Sequence, residues 1–90
     1  MSEVDEIREY CMVHYVTPAK ERGDYTVSIR TGDIHSELFY SNRLPLVCAA
    51  LGATTFEHQN NLRRISVLGP LNGASTLFTY LILDHFRSES

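Results

Sequence analysis

Apolar residues along this chain run at helical spacing, then in alternation, then at helical spacing again before two β-rich segments, and that order limits the fold more than any single motif does. Val4, Ile7, Cys11, His14, Tyr15 and Pro18 recur at helical spacing, which marks an amphipathic helix with one buried stripe. The acids Glu3, Asp5 and Glu6 sit at its start, where the helix dipole favours negative charge. Thr17 and Pro18 kink or restart this helix, residues 20–22 continue it, and Gly23 supplies a C-terminal stop. The period then becomes two: Tyr25, Val27 and Ile29 alternate with Thr26, Ser28 and Arg30, as in a half-buried strand.

Helical spacing returns after Thr31, Gly32 and Asp33, which end the strand and cap a short helix carrying Ile34 and Leu38 on one face. Tyr40, Ser41 and Asn42 form a break. A third helix is expected from near Arg43, with Pro45 tolerated in its first turn, to about Glu57. Its buried stripe is Leu44, Val47, Cys48 and Leu51, and Gly52 weakens it without breaking it. Leu62–Leu68 reads as a strand that ends at Gly69 and Pro70, and residues 76–83, rich in aromatic and β-branched residues, as a second strand facing it. Between them Asn72-Gly73 supplies the positive φ angles of a tight hairpin turn, and residues 87–90 read as a frayed tail. There is no internal repeat or linker, so the expectation is one α+β domain over residues 1–90 with its core in about 4–83.

Composition narrows the function classes. Ninety residues, 43% of them hydrophobic, support one core but no deep cavity walled on all sides, which disfavours an elaborate enzyme. No apolar run is long enough to span a bilayer, and Ser2, Glu3, Val4, Asp5 and Glu6 do not resemble a secretory signal, so a cytoplasmic protein is expected. The net charge of −3 is carried by the first ten residues, where Glu3, Asp5, Glu6 and Glu9 outnumber Arg8. The rest of the chain is neutral and has no lysine or arginine cluster.

Site chemistry is sparse. Cys11 and Cys48 lie inside apolar segments, as buried thiols do, and a zinc site would have to gather ligands from scattered His35, Cys48, His58 and His85. Asp33, His35 and Ser36 fan around a short helix instead of aligning as nucleophile, base and orienter. His14 and Cys11 both fall on the stripe expected to face the core. The glycines of residues 69–75 lack both GxGxxG spacing and a phosphate-binding lysine. No catalytic residue, metal site, cofactor or small-molecule ligand is therefore assigned.

The order helix, strand, two closely spaced helices, then hairpin resembles the winged helix-turn-helix family over residues 4–83. Residues 32–51 are also similar to small uncharacterised prokaryotic proteins, a likeness that carries no activity. The resemblance implies a helix-turn-helix in residues 33–39 and 43–57, with the second of these helices entering the DNA major groove and residues 69–75 acting as the wing. On that helix, Asn42, Leu46, Ala49 and Ala53 lie opposite the buried stripe, with Arg43 and Ala50 flanking. Asn42 and Arg43 are the candidates for base or phosphate contact, and Leu46 and Ala49 for thymine methyls.

Arg30, Arg63 and Arg64 are the candidate phosphate contacts, although consecutive Arg63 and Arg64 point to opposite faces of a strand. The expected wing carries no cation. Two functions are thus expected: a DNA-binding winged helix protein, as a small transcriptional regulator or accessory module on duplex DNA, or a protein-interaction winged helix docking through Leu46, Ala49 and Ala53. Either the acidic first helix or the last strand could supply a homodimer contact. What separates the two functions is whether Arg30, Arg43 and one of Arg63 or Arg64 converge on a single surface.

Overall fold

The computed structural model describes residues 2–70 and 73–86; Asn72 of the expected turn and the tail at residues 87–90 lie outside them. It opens with a long helical run. Ser2 caps α1 (Glu3–Cys11) by accepting the Asp5 N–H at 3.2 Å. A π-helical turn over Met12–Val16 follows, and α2 (Thr17–Arg22) completes the run.

The π-turn precedes Pro18, whose ring excludes the ordinary backbone bond to the preceding turn, and the Thr17 N–H reaches back five residues to Met12 instead. One extra residue in that turn shifts the buried stripe, which runs Ile7, Cys11, Val16, Ala19. His14, expected on the core side, is therefore rotated to the surface, where its ring lies 4.3 Å from that of Tyr10.

Gly23 ends α2 in the left-handed conformation at φ 82°, with the Gly23 and Asp24 N–H groups donating to Lys20 and Ala19. The chain then forms β1 (Thr26–Arg30), whose Val27 and Ile29 are buried. Tyr25, expected to share their face, precedes the strand and is exposed.

The next helix, α3 (Thr31–Glu37), begins without an intervening loop. Thr31 does not cap it. Its hydroxyl donates to the Gly73 carbonyl at 2.6 Å, and the Thr31 and Gly32 N–H groups donate to Thr76 and Ala74. The start of α3 is thus clamped to the loop that precedes the last strand.

The expected third helix is two helices. α4 (Leu44–Gly52) stops at Gly52, Ala53 is extended, and α5 (Thr54–Asn60) starts anew with Phe56 buried. The reason is tertiary. The last α4 carbonyls have no partners within the helix, and three side chains from three elements take them. Arg8 of α1 donates to Ala50 at 3.3 Å, Tyr80 to Leu51 at 2.7 Å, and Arg64 to Gly52 at 2.9 Å.

Asn61, at φ 56°, turns the chain into β2 (Leu62–Leu68), and β3 (Leu77–Ile82) returns antiparallel. The sheet order is β1-β3-β2, with β3 central and antiparallel to both neighbours. Ile65 bulges out of β2, between Arg64 opposite Tyr80 and Ser66 opposite Thr79. The positive φ at the hairpin end of β2 belongs to Gly69, at 97°.

Phe78, Tyr80 and Ile82 alternate inward against the helices, so the architecture is α+β, with helices on one face of a three-stranded antiparallel sheet. Ile7, Ile29, Ile34, Leu51, Phe56 and Ile82 are all fully buried, and each such side chain contributes about 1.5–3 kcal/mol of transfer free energy. No helix among the described residues is long and apolar enough to cross a membrane.

Two predictions follow from this packing. Burial pushes the Cys11 thiol up to about 12, with the Glu37 charge adding to the effect, whereas Cys48 is half-buried at the surface of α4. Iodoacetamide at pH ~8 should label Cys48 in the native protein and Cys11 only after denaturation, as read by peptide mass spectrometry. Gly32→Ala should destabilise by roughly 1–3 kcal/mol in urea titration, because its Cβ would lie 2.5 Å from the Ala74 carbonyl oxygen. An unchanged midpoint would show that α3 is not held to that loop.

Candidate functional site

The arginines do not converge. Arg30 and Arg63 lie on the sheet face turned away from the helices, opposite Leu77 and Leu81. Four residues of β3 and the width of the three-stranded sheet separate them, a diagonal of roughly 15 Å. Arg64 lies on the other face, and its guanidinium is bonded to the Gly52 carbonyl while its backbone N–H donates to Glu57 Oε1 at 3.0 Å. Arg43, at the start of α4, is directed to α1 and pairs with Glu3 at 3.4 Å. The convergence that would mark a phosphate-tracking surface is absent among these residues.

The α4 face also differs from the expected one. Asn42 is exposed in the left-handed region at φ 56°, and Ala49 is exposed. Leu46, however, is half-buried and packed against the core, Ala53 is half-buried, and Ala50 is buried outright. The open side of α4 is instead Pro45, Cys48, Ala49 and Gly52. These four residues, with Val67, Thr76 and Phe78 of the hairpin and Arg64 at the rim, line a groove of about 330 Å³. The groove exists because α4 ends at Gly52. A Cβ there would lie 3.4 Å from the Arg64 guanidinium and 3.7 Å from the Phe78 ring, and a continuing helix would carry side chains across the opening.

A second feature stands at the other end of α4. α3 ends in a Schellman motif, in which the Tyr40 N–H donates to His35 and the Phe39 N–H to Ser36, both at 3.0 Å. The left-handed position of that motif, normally glycine, is Phe39 at φ 59°. Its side chain is 93% exposed, so no packing offsets the conformation, which costs a bulky residue roughly 1–3 kcal/mol.

The turn around Phe39 is held firmly. Tyr40 packs against the core with its ring edge-on to His35, and His35 Nε2 accepts the Arg43 N–H at 3.1 Å. Carboxylates lie near the chain neighbours of Phe39, with Glu6 and Glu3 acting on Tyr40. Leu38, its chain neighbour, shares a shallow depression with Glu6, Glu9, Tyr10, Val13 and His14. Glu37 accepts the hydroxyls of Tyr10 at 2.7 Å and Tyr15 at 2.9 Å. That carboxylate holds Tyr10 up to about 12, and burial together with Glu37 raises Tyr15 as well.

Sequence inspection missed both features. Phe39 was hidden because helix ends are recognised by glycine; the signal that could have exposed it is an aromatic pair, Phe39-Tyr40, directly before the Ser41-Asn42 break. The groove was hidden because its far wall, Val67, Thr76 and Phe78, comes from residues 15 to 26 positions distant from Gly52. Among the described residues no group of three or more His, Cys, Asp or Glu is arranged to hold a metal ion. Comparison of the chain with protein families, with curated proteins and with solved structures finds no match.

The strain at Phe39 has a measurable consequence. Phe39→Gly removes a side chain that makes almost no contact and relieves the left-handed backbone, so stability should rise by about 0.5–1 kcal/mol, seen as a higher urea midpoint. A lower midpoint would mean that Phe39 packs against the domain.

Proposed function

We propose that this chain is a winged helix-like protein-interaction domain, and that the groove between α4 and the β2–β3 hairpin receives a bulky apolar side chain of a partner. The order α1–α2, β1, α3, α4, hairpin supports the winged helix assignment, with α3 and α4 joined by a short turn and α5 as an addition before the hairpin. The observation that carries the functional part is the groove itself, an opening of about 330 Å³ with an apolar floor from Val67, Phe78, Pro45 and Ala49 and one charged residue, Arg64. Such an apolar centre with a polar rim suits a protein anchor residue.

Duplex DNA is poorly served by the same surface. Arg43 is paired with Glu3, Arg64 is a single cation at the groove rim, and Arg30 and Arg63 sit across the sheet from it. Sequence-independent DNA affinity comes from several cations placed together along the phosphates, and among the described residues no such row lies beside the groove.

Two measurements test the proposal. Fluorescence anisotropy with random duplex DNA should give no binding at about 50 mM or about 200 mM salt. Binding that is steep in salt and lost in Arg43→Ala would overturn it. Selection of displayed random peptides on the immobilised protein should enrich sequences with a bulky apolar residue, and Ala49→Arg should reduce their affinity at least tenfold by filling the groove. Enriched peptides that bind Ala49→Arg equally well would move the docking site elsewhere.

A further inference from the structure

The same chain carries an apolar knob and an apolar hole. Among the described residues, Phe39 is the most exposed large hydrophobic one, at 93%. The Schellman turn and the His35–Arg43 bond hold its backbone before any partner arrives, so little backbone freedom is lost when the ring is buried. The groove beside α4 encloses about 330 Å³, and a cavity of about 150 Å³ already holds a benzene ring. The surroundings match in charge. Phe39 adjoins Leu38, whose depression is edged by Glu6 and Glu9, and neither acid has an ion-pair partner among the described residues. The groove has Arg64 at its rim and no acid in its lining.

Resting on the docking role of that groove, we infer that its occupant is Phe39 of a second copy of this chain. The contact is head-to-tail. The turn after α3 of one copy inserts between α4 and the hairpin of the next, and the acidic edge around Glu6 and Glu9 comes near Arg64. Knob and hole are different surfaces, so each copy keeps one of each free after the first contact. Association therefore proceeds to a ring or an open chain and does not stop at a two-fold dimer. It also gives the strained backbone at Phe39 a use that stability alone does not, since strain of this kind collects where a side chain must be presented.

Sedimentation velocity on the full chain tests this. Over about 10–200 µM, a range suited to weak contacts of this size, the weight-average sedimentation coefficient of the wild type should rise steadily. Phe39→Ala and Ala49→Arg alter exposed positions, and circular dichroism checks that each remains folded. Each variant alone should stay at the monomer value. An equimolar mixture should recover association and stop at the dimer, because Phe39→Ala still offers a groove and Ala49→Arg still offers Phe39. A mixture that stays monomeric, or a Phe39→Ala variant that associates like the wild type, overturns the inference. A wild type that is monomeric throughout also overturns it; if its groove still selects apolar peptides, the docking role survives, and if it does not, that role falls too.

Discussion

Three backbone carbonyls at the end of α4 hold the domain's layers together. Those of Ala50, Leu51 and Gly52 would be orphaned at a helix end, and they accept from Arg8, Tyr80 and Arg64, which belong to α1, β3 and β2. Tyr80 is fully buried, and burial first of all keeps its phenol protonated and able to donate. A buried carbonyl without a partner costs about 1–3 kcal/mol. The position of α4 over the sheet is therefore tied to the identities of three side chains far away in sequence.

Functional chemistry is limited by this arrangement. Two of the eight basic residues, Arg8 and Arg64, are spent on helix carbonyls, where positive charge also complements the C-terminal end of the dipole. Lys20 reaches the Asn60 carbonyl at 2.7 Å and does similar work at the end of α5. Arg43 is balanced by Glu3. A domain whose cations are engaged in this way has few left to follow a phosphate backbone, whereas the early stop of α4 leaves an opening beside Gly52 that apolar side chains line.

The two Schellman ends show where a local rule gives way. After α2 the left-handed position is Gly23, at φ 82°, with nothing within 4 Å of where its Cβ would be. After α3 the same hydrogen-bond pattern is built around Phe39, although glycine would serve the backbone better. Conflict between local preference and fold, at a residue that buries nothing, is expected where a surface is kept for recognition.

The sequence by itself determined the element types and their order. The alternation of Val27 and Ile29 with polar neighbours, the aromatic and β-branched residues of 76–83, the stop at Gly23 and the break at residues 40–42 are local signals, and the chain obeys them. Of three features that apolar spacing does not show, the first is local and the other two were decided only by tertiary structure. The helical stripe skips His14 because a π-turn leads into Pro18. The helix expected to reach Glu57 ends at Gly52, where Arg64 takes the carbonyl and Phe78 closes against the glycine. The candidate arginines, all exposed, face different sides because strand register and ion pairing direct them. Periodicity reports which side of an element is apolar; it is blind to which distant side chain will reach that element's ends, and both the groove and the exposed Phe39 depend on those ends.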